Sequence, residues 1–450
     1  MSEPLFHSCA PRLFYVRTFG CQMNEYDSLQ VRRQLAALGY ESVDDMARAD
    51  VIFLNTCSVR DKAEQKVHSF LGSLRKLKEA NPQLKIIAGG CVAQQLGKKL
   101  LARFAHLDMV VGTRAVNSIG QLLQQVEKSG GRAAFLHDAG ITGTGSGCFE
   151  IAPQPGVTAP LTIMQGCNNH CAYCIVPAVR GAERSRRPEE ILEEIELLEG
   201  SGVKEVLLLG QNVNSYGAGL GEKISFAGLL RRIVSESGLL RIRFTTSHPK
   251  DLTEELMLCF AELAPLCKHL HLPVQAGSDR VLSRMNRRYS AGQYLEKVRE
   301  LRRICPEIAL TSDVIVGFPG ETEEDFRDTM ELIEEVRFDN LFSFRYSDRP
   351  NTRATAFEDK VDEKISARRL AELQGRQAEI ALGKNLAEAG SIREVLVEGP
   401  SKASNGQVSG RTSQNRIVNF EAPLSSTGKI VAVKITHAYL HSMVGEAIVG

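Results

Sequence analysis

The chain has 450 residues, 43% of them hydrophobic and 24% charged, with 55 Lys plus Arg against 54 Asp plus Glu and a formal charge of +1. At about 150 residues per domain this length predicts roughly three domains, and the ordinary composition excludes a collagen, a disordered tail or a membrane protein. A balanced total charge announces no nucleic-acid partner, so any such partner has to be held by local patches.

The start of the chain carries no apolar stretch behind a basic segment, and no apolar run approaches the ~18 residues that a spanning helix needs. The expectation is a cytoplasmic protein with no membrane attachment. Its eleven cysteines are then reduced thiols, and grouped ones read as metal ligands or catalytic groups rather than disulfides.

From residue 13 to 127 short apolar runs (LFYVRTFG, VIFLN, KIIAGG, DMVVG) alternate with helix-length amphipathic stretches, the first being NEYDSLQVRRQLAALG. Repeated βα units predict an open parallel α/β domain over 1–138. Gly, Thr, Ser and Pro dominate next (GITGTGSG, PQPG), which predicts a linker over 139–160. The βα rhythm then resumes with strands at LTIM, EVLLLG, RIRFTT, HLHLP, ALTSDVIVGF and LFSFRYS. One of the intervening helices, PEEILEEIELLEG, starts with Pro in a favoured first-turn position. Six or so units predict a partial (β/α) barrel, which with a charged helical extension fills 161–386. Short β-like segments (REVLVEG, QVSGRT, RIVNF, KIVAVKITHAYL, GEAIVG) occupy 387–450 and predict a small all-β barrel.

The strongest chemical signal is Cys167, Cys171 and Cys174 in GCNNHCAYC, a C-x3-C-x2-C loop just after the first strand of the second α/β region. Three thiolates so close can converge on one soft metal centre. Tetrahedral zinc would want a fourth ligand, and His170, between two of the cysteines, has too little chain on either side to fold back. Three cysteines fit instead a 4Fe-4S cluster with one iron open to a small chelating ligand.

A second set is dispersed: Cys21, Cys57 and Cys91 each directly follow an apolar strand, with 35 and 33 residues between them. The carboxyl ends of parallel strands face one edge of a sheet, so three such loops can assemble a three-thiolate site there. The plain alternative is three buried small apolar residues, which are common in sheets. Cys9, Cys148, Cys259, Cys267 and Cys305 receive no role.

The C-x3-C-x2-C spacing resembles the radical S-adenosylmethionine superfamily, and the chain as a whole resembles the methylthiotransferases, with an amino-terminal three-cysteine domain, a radical domain and a TRAM domain. QNVNSYG (Gln211 to Gly217), RFTTSHP, LHLPVQAGSDRVLSRMNRRY, SDVIVGFPGETEEDF and FSFRYSDRP are similar to the tRNA branch, the MiaB family, and SGRTSQNRIVNF (Ser409 to Phe420) resembles the RNA-binding TRAM signature. The resemblance implies two 4Fe-4S clusters, one on each cysteine set, and S-adenosylmethionine as both methyl donor and radical source. It implies insertion of a methylthio group at carbon 2 of isopentenyladenosine beside the anticodon of tRNA. That carbon-hydrogen bond is unactivated, so a carbon radical must break it, and the cofactor carries the hard chemistry. The implied partners are the isopentenylated anticodon stem-loop of tRNA and a reducing protein such as a flavodoxin or ferredoxin.

By the same resemblance Gly210, Gln211, Asn212, Ser247, Gln275, Gly317 and Glu321 line the cofactor at the carboxyl ends of the barrel strands, against the plain reading of ordinary turn chemistry. Basic residues in VRGAERSRR (Arg180, Arg184, Arg186, Arg187) and RMNRR (Arg284, Arg287, Arg288) read either as a solvated face or as phosphate contacts. In the last domain Arg411, Asn415, Arg416 and Phe420 are candidates for phosphate contact and base stacking. Two competitors stand beside this reading: an aspartyl methylthiotransferase acting on a ribosomal protein, and a non-catalytic zinc-holding RNA-binding protein.

Overall fold

A computed structural model describes residues 11–58, 61–137, 156–221, 224–402 and 406–448. Most of the expected linker, and with it Cys9 and Cys148, lies outside them. Among the described residues no helix is long and apolar enough to cross a membrane. The chain divides into two units, Met1–Ala152 with Ala178–Arg180, and Pro153–Pro177 with Gly181–Gly450.

The first unit is a six-stranded sheet in the order β2-β1-β3-β4-β5-β6. Its strands are β1 (Leu13–Thr18), β2 (Glu41–Ser42), β3 (Val51–Thr56), β4 (Lys85–Gly90), β5 (Met109–Val111) and β6 (Ala133–Phe135), and every pairing is parallel. Helices α1 (Gln22–Ala37), α2 (Asp61–Ser73), α3 (Arg75–Ala80), α4 (Cys91–Leu96), α5 (Lys98–Arg103) and α6 (Ile119–Ser129) connect them. Side chains alternate across a strand, so Val51 and Phe53 join one core with Val31, Leu35, Leu122 and Val126. Ile52 and Leu54 join the other with Val67, Leu71 and Leu100. A strand buried on both faces needs an unbroken apolar run, which is why VIFL was legible. Edge strands β2 and β6 were not, being too short to show a period.

The second unit carries parallel strands β7 (Thr158–Thr162), β10 (Glu205–Leu209), β11 (Arg241–Phe244), β12 (His269–His271), β13 (Ala309–Val316) and β14 (Asn340–Arg345). They form two three-stranded sheets, joined by a parallel bridge between Ile242 and Leu266, which is the expected partial barrel. A short antiparallel pair, β8 (Met164–Gln165) with β9 (Arg184–Ser185), closes the base of the loop that holds Cys167. The helices are α7 (Val176–Arg180), whose last three residues belong to the first unit, α8 (Pro188–Gly200), α9 (Phe226–Glu236), α10 (Glu254–Glu262), α11 (Asp279–Arg284), α12 (Ala291–Ile304), α13 (Glu323–Val336) and the extension α14 (Glu363–Leu386).

Strands β15 (Ile392–Pro400), β16 (Gln407–Thr412), β17 (Ile417–Glu421), β18 (Ile430–Ala438) and β19 (Met443–Ala447) make a closed barrel around Val395, Val408, Val418, Phe420 and Ile435. Phe420 is fully buried there, which corrects its reading as a stacking platform. The barrel is fastened by buried arginines of β11. Arg241 donates to the carbonyls of Arg411 and Glu394, and Arg243 donates to those of Ser413 (3.0 Å) and Thr412 (2.7 Å) while pairing with Glu205.

Candidate functional site

In the second unit the loop from Cys167 to Cys174 leaves β8 at Gly166, whose φ of +79° and tight approach to the Ala182 carbonyl leave no room for a Cβ. The Cys167 N–H reaches the Gly181 carbonyl (3.1 Å), and Ala172 is held by the Met285 carbonyl (2.9 Å) and by Ala354 N–H (2.8 Å). Arg287 is buried against this loop: its guanidinium lies 3.4 Å from the Cys171 sulfur and donates to the Pro273 carbonyl (2.9 Å) and the Tyr289 hydroxyl (3.0 Å). This corrects the reading of Arg287 as a phosphate contact. Its neighbour Arg288 is exposed and lines an open pocket of about 350 Å³ with Asn286, Tyr289 and Ser290.

Burial pushes the Cys167 thiol up, and the Cys174 thiol up to about 12. An iron centre would have to displace the protons of these thiols on binding. His170 is exposed, its carbonyl taken by Asn286. Among the described residues no three His, Cys, Asp or Glu side chains converge as ligands of a single ion.

The expected cofactor residues all follow the carboxyl ends of barrel strands: Gly210, Gln211 and Asn212 after β10, Ser247 after β11, Gln275 after β12, Gly317 and Glu321 after β13. They differ in what they have left to offer. Gln211 Oε1 accepts the Gly166 N–H (2.5 Å) and so braces the cysteine loop. Glu321 is buried against Arg369 of α14 (2.7 Å) and accepts the Gly317 N–H (2.8 Å), which braces this turn. Gln275 holds its backbone at φ +75° between Asp313 and Ile315. Buried Asn212 Oδ1 and Ser247 Oγ have no hydrogen-bond partner, and neither polar atom of Asn214, within the QNVNSYG segment, has one. Unpaired buried polar atoms cost stability unless a ligand meets them. These unpaired atoms, on the loops that follow β10 and β11 at the carboxyl ends of the strands, fit a polar chelating cofactor.

In the first unit Cys21 caps α1, Cys57 follows β3 and Cys91 opens α4 after β4. A polar network beneath them ties the three strand ends together. Asn24 Nδ2 donates to Asn55 Oδ1 (2.8 Å) and to the Thr56 carbonyl (3.0 Å), and Asn55 Nδ2 returns to the Asn24 carbonyl (2.8 Å). Thr56 Oγ1 donates to the Gly89 carbonyl (2.6 Å) and accepts from Ala93 N–H (3.2 Å). A Cβ on Gly20 would strike Cys57, so the first two loops are in close contact. A hydrogen bond with Cys57 draws the Cys21 thiol down to about 6, with burial opposing and Asn24 and the Arg180 charge assisting. Burial raises the Cys91 thiol, opposed by Arg180. Arg180 is the correction here: expected at a phosphate, it is buried in this unit and paired with Asp27 at 2.8 Å.

The remaining RNA candidates divide. Arg184 is exposed. Arg416 is tied to Asp339 (2.9 Å) and Glu388, and Arg411 to Glu398 (3.2 Å) and Asn415 (3.1 Å).

Comparison with known proteins places these features. The radical SAM superfamily model matches residues 161–333, uncharacterized protein family UPF0004 matches 13–112, and the TRAM domain matches 387–448. The chain is 64% identical to the tRNA-2-methylthio-N(6)-dimethylallyladenosine synthase of Syntrophobacter fumaroxidans over 97% of this chain and 96% of that one. It is 49% identical to the Geobacter metallireducens protein of the same name, over 97% and 98%. Among solved structures, the radical S-adenosylmethionine methyltransferase TsrM from Kitasatospora setae shares the fold, with a TM-score of 0.57 over 77% of each chain at 14% identity.

Proposed function

Because the chain belongs to the tRNA-2-methylthio-N(6)-dimethylallyladenosine synthases, we propose that it places a methylthio group on carbon 2 of the isopentenylated adenosine beside a tRNA anticodon, using one 4Fe-4S cluster at each of its two three-cysteine sites. The observation that carries the two-site reading is the network of Asn24, Asn55 and Thr56, which fastens together three cysteine loops that no fold requirement obliges to be polar.

When bound, the cluster and S-adenosylmethionine supply a 5'-deoxyadenosyl radical able to take hydrogen from an unactivated carbon. Cys167, Cys171 and Cys174 hold that cluster, Gly166 and Gln211 fix their loop, and Ser247, Asn212 and Asn214 offer hydrogen bonds to the polar end of the cofactor. Cys21, Cys57 and Cys91 hold the second cluster, the source of sulfur. Exposed Arg184 and Arg288 meet tRNA phosphates, the latter beside the polar pocket of Asn286 and Tyr289. A small flavoprotein or ferredoxin supplies electrons.

Anaerobically reconstituted protein should carry the iron and acid-labile sulfide of two clusters. Cys171→Ala should abolish deoxyadenosine formation, whereas Cys57→Ala should keep it and yield no methylthio-tRNA by mass spectrometry. A single cluster in the intact protein, or full methylthiolation by Cys57→Ala, would sink the two-site reading.

A further inference from the structure

The chain leaves the second unit after Pro177, contributes Ala178, Val179 and Arg180 to the first, and returns at Gly181. The inserted residues are anchored: Thr113 Oγ1 donates to the Val179 carbonyl (2.5 Å) and Arg114 Nε to that of Arg180 (3.4 Å). Arg180 is the one buried cation of the first unit among the described residues. Its Nη2 donates to Asp27 on α1 (2.8 Å), and both side chains are nearly sealed from solvent, at 4% and 3% exposure.

A buried ion pair is an expensive way to fill a core, and apolar residues of similar size do it as well. This pair is also incomplete, because Nη1 is buried with no acceptor. Besides Asp27, the groups that act on the guanidinium are the thiols of Cys91 and Cys21. The unmet N–H therefore belongs to the three-cysteine site.

We propose that Arg180 is a positioning residue of the amino-terminal cluster, giving an N–H to a cluster or thiolate sulfur and raising the cluster's reduction potential by its positive charge, with Asp27 fixing the guanidinium and moderating that charge. The inference rests on the two-cluster reading. Hydrogen bonds to sulfur and net local charge are established levers on iron–sulfur potentials. A cation favours the more negative, reduced cluster and an anion disfavours it, so the two partners act with opposite sign.

The test uses the full chain with Cys167, Cys171 and Cys174 changed to Ala, reconstituted anaerobically and titrated by electron paramagnetic resonance. This parent should load one cluster, and its failure to load any overturns the two-cluster reading itself. In that background Arg180→Gln should shift the one-electron equilibrium at least tenfold toward the oxidised cluster, about 59 mV. Asp27→Asn should move it the other way, and Arg180→Lys should lie between parent and Arg180→Gln. A loaded cluster with one unchanged potential in Arg180→Gln and Asp27→Asn overturns the role of Arg180 while leaving two clusters standing. Should Arg180→Gln not load, Asp27→Asn decides: a positive shift supports the proposal, and no shift overturns it.

Discussion

Arg287 and Arg288 are adjacent in the chain and opposite in fate, one buried against Cys171 and the other exposed beside an open pocket. Arg288→Ala is therefore expected to weaken tRNA binding and lower its salt slope by about 1, while Arg287→Met leaves the slope alone and lowers thermal stability. Titration of tRNA at several salt concentrations checks this, and a slope change confined to Arg287→Met would reverse the assignment. The cysteines were legible because each follows an apolar run that marks a strand end, and strand ends of a parallel sheet share an edge. The arginines were not. RMNRR and VRGAERSRR read alike whether a guanidinium meets water, a carboxylate or a sulfur, since burial of a long cation depends on partners far away in sequence. Arg180 and Asp27 are 153 positions apart. Asn24, Asn55 and Thr56 did leave a trace, as polar residues at the ends of otherwise apolar periods, but nothing in the sequence says that they bond to one another.

Helix α13 begins with a capping box in which Thr322 and Asp325 satisfy each other's backbone N–H groups. Asp325 also accepts from the Ser278 hydroxyl (2.5 Å) and pairs with Arg280, tying the start of α13 to that of α11. Burial opposes ionisation of its carboxyl, yet the bonds from Arg280, Ser278 and Thr322 outweigh it and hold the group well below the usual carboxylate range. The unfolded chain thus binds the proton at higher pH than the folded one. The stabilisation is full above about pH 4, the ordinary carboxylate value, and fades as pH falls through the depressed folded value. Asp325→Asn should lower stability at neutral pH and flatten its loss below about pH 4, as read by denaturant titration across that range. A parallel offset at every pH would contradict the linkage. Most helices were legible from their periods, while this capping box was not read from the sequence. The antiparallel pair β8 and β9 was not, because two residues show no alternation.

The carboxyl-terminal barrel is fastened into its unit, because its turn from Arg411 to Ser413 accepts hydrogen bonds from two buried arginines of β11. Truncation near Ala389 strips Arg241 of its acceptors and leaves Arg243 with Glu205 alone. Breaking a buried charged contact from one side typically costs about 3–5 kcal/mol, so the truncated protein should melt markedly lower and lose S-adenosylmethionine cleavage along with tRNA binding. Unchanged melting and cleavage would restore the picture of an independent module. A related expectation concerns the other end of the chain. Residues 1–152 made alone contain Asp27 without Arg180, so in the fragment Asp27→Asn should increase resistance to limited proteolysis, whereas in the full chain it should decrease it. The three-residue excursion at Ala178–Arg180 thereby bears on ancestry. A fusion that simply appends one finished module to another leaves Asp27 with no counter-ion, and any recombination that parts the acid from its distant arginine hands each descendant half of an ion pair.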